Sequence, residues 1–201
     1  MTNKPKLFLD MDNMLVDTLG VLNQLDMQDY PGVEKPDRIP GIFKDLPEIP
    51  GAVAAVKTLA AKYEIFILST APWHNPSAWT DKLTWLTNRF GGDANSPIYK
   101  HVIMTHEKGL INPVGGILID DRPYHGAAEW DDPNRGRLWI QYGYDQRLTW
   151  ASGELTKLLL AGADLYAKGD INERQAVDLA NQAYDYQLYN PEKTFEKAGW
   201  E

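Results

Sequence analysis

Twice in this chain a short apolar run ends in a pair of acids. Leu7-Phe8-Leu9 breaks into Asp10, with Asp12 two residues on, and Ile117-Leu118-Ile119 breaks into Asp120-Asp121. Runs of this kind read as buried strands of a parallel sheet. In open α/β sheets ligands sit outside the carboxyl ends of the strands. Asp10 therefore stands at a strand tip, and Asp12, with the same side-chain parity, faces the same way. If the two strands are neighbours, the four acids meet at one edge of the sheet. Carboxylates that close repel unless a proton or a cation intervenes. An oxygen-only donor set suits a hard divalent ion, and Mg²⁺ is the expected one where few protein ligands share a site with phosphate. Either acid pair alone would read as a turn or a helix cap. The repetition, with suitable elements between, points to a site.

Those elements follow in order. Thr18 to Asp29, with Leu19, Leu22 and Leu25 near helical spacing, predicts the start of a helix capped by Thr18. Residues 30 to 50 carry Pro31, Pro36, Pro40, Pro47 and Pro50, which interrupt any regular element, and an excursion of this length tends to be functional or lid-like. A helix with Val53, Val56, Leu59 and Ala60 on one face leads to a strand over Glu64–Leu68, the βαβ signature of a parallel sheet. Ser69 and Thr70 follow at its tip, where a hydroxyl can donate to a phosphate oxygen. Asn75 as N-cap and Pro76 at the first helical position predict a further helix, with Trp79, Leu83, Leu86 and Phe90 in the core and Gly91-Gly92 as its end. Trp73 and His74 precede it on the site's side and are candidates to touch a substrate.

A third strand spans residues 101 to 105, with Lys108 just beyond it, and a fifth spans Arg137 to Tyr142. His101 and His106 read as structural rather than as a metal pair. Arg122 is placed to brace a carboxylate by a two-pronged contact. Two helices are expected after Asp145. The second has a capping box at Asn172 and an inner face of Ala176, Leu179, Ala183 and Tyr184. This tail either packs on the sheet or makes a homodimer contact.

Composition narrows the functions. The 201 residues suit one domain with a small insertion, and the net charge of -8 argues against a surface that tracks nucleic-acid phosphates. With no cysteine, thiolate metal sites, disulfides and Cys nucleophiles are excluded. The N-terminus lacks the apolar core of a signal peptide, and no run has transmembrane length, so the expected location is cytoplasmic. No Gly-x-x-x-x-Gly-Lys-Ser/Thr loop is present, which argues against a P-loop kinase or NTPase.

The run Asp10-Met-Asp12-Asn-Met-Leu-Val-Asp17 resembles the first motif of the haloacid dehalogenase-like phosphohydrolases, with Met14 a mild departure. Ile67-Leu68-Ser69 resembles the second motif, Lys108 in Thr-His-Glu-Lys the third-motif lysine, and Ile119-Asp120-Asp121-Arg122-Pro123 the fourth. Among these proteins the 5'(3')-deoxyribonucleotidase-like group is the most similar, on Leu-Ile-Asp-Asp-Arg-Pro and the Thr-x-x-Lys segment upstream. The resemblance implies an α/β, three-layer Rossmann-like parallel sheet. Its core is residues 1–17 and 50–145, with a small cap insertion at 18–49 and C-terminal helices over 146–201 packed on the core.

It also implies a Mg²⁺-dependent phosphomonoesterase acting on a small phosphomonoester, foremost a nucleoside monophosphate. Asp10 would be the nucleophile and Asp12 the general acid and base. Lys108, with Lys82 and Lys100 as rivals, would neutralise the phosphoryl group together with Ser69. Asp10, the Asp12 backbone carbonyl and Asp120 would hold the metal, supported by Asp121, Arg122 and Asp17. A sugar phosphate is the alternative substrate, and a non-catalytic scaffold on the same fold is the alternative class.

Overall fold

The computed structural model describes residues 4–111, 113 and 115–195. The ends of the expected core and tail, residues 1–3 and 196–201, lie outside them. Five parallel strands form one sheet: β1 (Lys6–Leu9), β2 (Glu64–Ser69), β3 (Val102–Met104), β4 (Gly116–Asp120) and β5 (Arg137–Gln141), in the order β3-β2-β1-β4-β5. The two acid-terminated strands are therefore neighbours. Register turns their alternation into two faces. Ile65, Leu7, Ile117 and Leu138 form one rung and Ile67, Leu9, Ile119 and Ile140 the next, on the same face. Phe66, Phe8, Leu118 and Trp139 line the opposite face.

The first face is covered by α2 (Ala52–Leu59), α3 (Ser77–Phe90), α4 (Glu154–Tyr166) and α5 (Glu173–Asn181). Fully burying a Leu or Ile side chain is worth about 1.5–3 kcal/mol, so this layer dominates the stability. The second face is closed more thinly, by Ala127, Trp130 and the ring of Tyr189. Among the described residues no helix is long and apolar enough to cross a membrane.

Several helix expectations are corrected. In the segment after Asp17 the α-helix spans only α1 (Thr18–Leu22), followed by a 3-10 turn over Met27–Asp29, and Asp17, not Thr18, caps α1 by accepting from the Gly20 amide. In α3 the buried side chains are Ala78, Asp81, Lys82, Trp85, Leu86 and Phe90, whereas Trp79 and Leu83 are 40% and 47% exposed. Asn75 does not cap α3. Its amide donates to the carbonyls of Asp37 and Ile39. In α5 the capping box at Asn172 forms as expected, but the buried face is Glu173, Ala176, Val177 and Ala180, with Leu179 turned outward. Such a change of inner face, which keeps only Ala176, is what a tertiary neighbour imposes on a short helix whose apolar positions allow more than one stripe.

Residues 18–49 leave and re-enter the core through a paired neck, in which Asp17 N donates to Pro47 O and Ile49 N to Leu15 O, both at 2.9 Å. A segment this short cannot bury a core of its own. Phe43 and Leu46 instead enter the main core, and Trp85 Nε1 donates to Leu46 O at 2.8 Å. The insertion is thus sewn onto α3.

Candidate active site

The strands' carboxyl ends open into a cleft of about 580 Å³ at the point where strand order reverses between β1 and β4. Asp10, Asp12, Asn13, Asp120, Asp121 and Arg122 line its floor, and Thr70, Trp73, His106 and His125 one side. Leu19, Leu22, Lys35, Asp37 and Phe43 from the insertion form the opposite wall.

Asp10 and Asp12 leave the strand into separate charge networks. The buried Asp10 carboxylate has the Lys108 ammonium 3.0 Å from Oδ1, and the same ammonium lies 2.5 Å from Asp120 Oδ2. The Asp12 carboxylate instead accepts from Thr18 Oγ1 at 2.7 Å and from Lys82 Nζ at 2.5 Å. Lys82 is wholly buried and also reaches Thr70 O at 2.6 Å and Ser69 Oγ at 3.2 Å. A buried ammonium held by a carboxylate and two strand-tip oxygens is built into the site. The rival lysine of the sequence reading therefore sits beneath the cleft, bound to the Asp12 that lines it, whereas Lys108 lines the cleft itself. Lys100 is exposed, with its ammonium 5.2 Å from the Tyr99 ring centroid, and does not line the cleft.

Lys108 is placed by the loop after β4. It opens a 3-10 turn, Lys108–Leu110, its amide donates to His125 O at 2.6 Å, and its carbonyl accepts from Trp130 Nε1 at 3.1 Å. Gly126 lets the two loops touch. Its φ is +81°, and a Cβ there would lie 2.4 Å from the Gly109 nitrogen.

Electrostatics separates the three buried acids. Burial pushes Asp10 up, but the Lys108 and Lys82 ammonium groups outweigh it and hold the carboxyl below the usual carboxylate range. Asp120 is pushed up to about 6 by burial, against the pull of Lys108 and with the Asp10 charge adding to the rise. Asp121 is raised well above the usual range by burial and then by the charges of Asp120 and Asp10. Burial also lowers His125, and Lys108 lowers it further.

The carboxylates of Asp10, Asp120 and Asp121 can each offer one oxygen with all three within 4.8 Å of one another. Asp10 Oδ1 is buried and accepts no hydrogen bond of good geometry. Three converging carboxylates, one with an unfilled acceptor, fit a hard cation. The cluster adds Asp121, expected only in support, to Asp10 and Asp120, while the Asp12 carboxylate points to Lys82.

Placement of the remaining expected residues is mixed. Thr70, Trp73 and Arg122 line the cleft, and Thr70 Oγ1 donates to Thr105 O at 2.8 Å. Ser69 lies beneath it against Lys82, His74 is exposed outside it, and Asp17 is spent on capping α1. Asn13 and His125 had no sequence signal of their own. Asn13 sits at φ +54°, where Asn is better tolerated than most side chains, and its amide donates to Asp121 Oδ2 at 2.9 Å. His106, expected to be structural, lines the cleft through a ring packed on Trp73, while Nε2 sits 2.8 Å from Ala71 O.

A parallel sheet with this acid pair at its switch point, a second acid pair on the neighbouring strand and buried lysines beside them has the arrangement of a phosphoric monoester hydrolase. The family model described as "5' nucleotidase, deoxy (Pyrimidine), cytosolic type C protein" matches residues 37–130. A Vibrio phage KVP40 protein named "Putative 5'(3')-deoxyribonucleotidase" is 38% identical over 152 residues, 75% of this chain and 83% of that protein. A protein of the same printed name from Staphylococcus epidermidis is 28% identical over 144 residues, covering 60% of this chain and 75% of its own. A mimivirus relative is 35% identical over 103 residues, 45% of this chain and 44% of its own. A solved structure titled as a haloacid dehalogenase-like hydrolase from Burkholderia xenovorans LB400 aligns with a TM-score of 0.47 at 16% identity, over 68% of this chain and 80% of that one, too slight a likeness to argue from. The chain belongs to the 5'(3')-deoxyribonucleotidase family.

Proposed function

We propose that this protein hydrolyses the phosphomonoester of a nucleoside monophosphate through an aspartyl-phosphate on Asp10. The supporting observation is the pairing of Asp10 with Lys108 and of Asp12 with Lys82 at one sheet edge. A carboxylate kept ionised by two ammonium groups is ready to attack phosphorus, and a second carboxyl group two residues on serves proton transfer once an arriving phosphate draws Lys82 from it.

In the first half-reaction an Asp10 oxygen bonds to phosphorus, the ester P–O bond breaks, and the leaving alkoxide takes a proton from Asp12. In the second, Asp12 takes a proton from water, the water oxygen bonds to phosphorus, and the Asp10–phosphorus bond breaks to release phosphate. An arriving phosphate competes with Asp12 for Lys82, so the buried ammonium stabilises the transferring group. Asp10, Asp120 and Asp121, with the Asp12 carbonyl, would hold Mg²⁺. When bound, it supplies charge neutralisation for the phosphate oxygens. Asn13 and Arg122 hold Asp121 in place through a hydrogen bond and an ion pair. Trp73 from the core and Leu22 and Phe43 from the insertion supply apolar lining for the nucleoside, with Lys35 and Asp37 beside them, so the insertion acts as a short cap.

The test is phosphate release from deoxy- and ribonucleoside monophosphates and sugar phosphates, with Mg²⁺ and with excess EDTA. Metal-dependent turnover of nucleotides is expected, and Asp10→Asn should abolish it while leaving the circular dichroism spectrum unchanged. Turnover confined to sugar phosphates would discard the nucleotide substrate, and full activity in Asp10→Asn would discard the mechanism.

A further inference from the structure

The family model ends at residue 130, yet the chain comes back to the catalytic edge long after it. α5 begins beside Gly115 and Gly136, at the N-terminal ends of β4 and β5 and opposite the cleft. α5 returns the chain to the catalytic edge, and from Tyr186 it crosses the tip of β5 onto the other face of the sheet. Gln187 N donates to Asp145 Oδ2 at 3.1 Å, Gln141 N to Leu188 O at 2.8 Å, and the Tyr189 ring stacks on Trp139 with centroids 5.7 Å apart.

The return ends on the loop that carries the acids. Gln141, at the tip of β5 and buried, accepts from Asn190 N at 3.0 Å and donates from Nε2 to the Asp121 carbonyl at 3.2 Å. Lys193 Nζ donates to Ala128 O at 3.1 Å and Tyr124 OH to Phe195 O at 2.9 Å. The Phe195 ring lies under the Arg122 guanidinium, 5.2 Å from ring centroid to Cζ. Arg122 itself places its Nε 3.5 Å from Asp121 Oδ2 and donates its amide to Asp120 Oδ1 at 3.0 Å.

We infer that residues 186–195 form a positioning strap of the active site, in which Gln141 and Phe195 fix the loop of Asp121 and Arg122 against the cleft. For its catalytic consequence the inference rests on the phosphatase reading above. For its mechanical one it rests on the contacts alone. Every link is a hydrogen bond or ring contact between segments far apart in sequence, and three of them, Gln141 to the Asp121 carbonyl, Tyr124 to Phe195 and Phe195 to Arg122, end within four residues of Asp120. Arg122 and Tyr124 are the strap's points of contact with the substrate side, because both line the cleft. Phe195 and Gln141 are positioning residues, since neither lines it.

Two measurements test this. In the full chain, Phe195→Ala should raise the KM for a phosphomonoester about three- to ten-fold, the scale of one cation–π contact, with kcat little changed. Phe195→Tyr should restore it, and Phe195→Ala should add nothing in an Arg122→Ala background. Additive effects, or an unchanged KM, would overturn the inference. Independently of activity, truncation after Glu192 should speed amide hydrogen exchange in residues 120–126 while leaving β1 and β2 protected. Unchanged exchange there would also overturn it. If exchange rises but the wild type turns over no phosphomonoester, the strap's hold on the loop stands and the phosphatase reading falls.

Discussion

Lys82 is the side chain whose role the cleft makes plainest. It is fully buried between the Asp12 carboxylate, the Ser69 hydroxyl and the Thr70 carbonyl. A buried ammonium keeps its charge only while such partners surround it, and a phosphate entering the cleft offers a stronger one. Lys82→Met should therefore lower kcat about 10²–10³-fold, the usual effect of losing one preorganised electrostatic donor. Steady-state kinetics alongside Lys108→Met decides the division of labour. If Lys82→Met keeps full kcat, Lys108 alone serves the phosphoryl group. Asn13 illustrates the same scale from the other side: one residue at positive φ ties the turn after β1 to Asp121.

Among the elements, the loop after β4 does the most for the site. It presents Asp121 and Arg122 and clamps Lys108 from both ends through His125 and Trp130. That clamp depends on backbone contact between Gly126 and Gly109. Gly126→Ala introduces both a strained left-handed residue and a Cβ against backbone that cannot swing aside. It should destabilise the protein by about 1–3 kcal/mol and lower turnover, because Lys108 must shift. Thermal melts and kinetics together check this, and a variant unchanged in both would show that the loops can part freely. The insertion shows the opposite economy, since past its one short α-helix, α1, its conformation is set by Asn75 just before α3 and Trp85 within it.

On the scale of the whole molecule, the buried acid cluster makes stability depend on pH and on cations. Asp120 is raised to about 6 and Asp121 is also raised, so the folded protein holds protons that the unfolded chain has lost. Without metal, stability should then fall as pH rises from the ordinary carboxylate range through about 6. Asp10 acts in the other direction. Its carboxyl is depressed, so its contribution is present above the ordinary carboxylate pKa and is lost as pH drops below it. A divalent cation bound by the cluster competes with the protons and stabilises the fold by mass action. Mg²⁺ should raise the Tm more at pH 7.5 than at pH 5, and Asp121→Asn should shrink the gain. Equal shifts at both pH values would argue that the ion binds elsewhere.

The strands and the acids at their tips were legible in the sequence, because a strand's burial is written in a local alternation and an acid just past it inherits the strand's direction. The helix before β2 and the capping box at Asn172 follow from equally local patterns, whereas the neighbour relation of β1 and β4 was only a condition of the sequence reading. What only the tertiary structure decided lies in contacts between distant residues. These are the joining of Lys82 to Asp12, the grip of the β4 loop on Lys108, the stitching of the insertion to α3, and the return of Phe195 to Arg122. The outward turn of Trp79, Leu83 and Leu179 belongs with them. Each is one of several satisfactory local arrangements. Packing at high density selects among them only when the whole sheet is assembled, since the partner that satisfies each group comes from elsewhere in the chain.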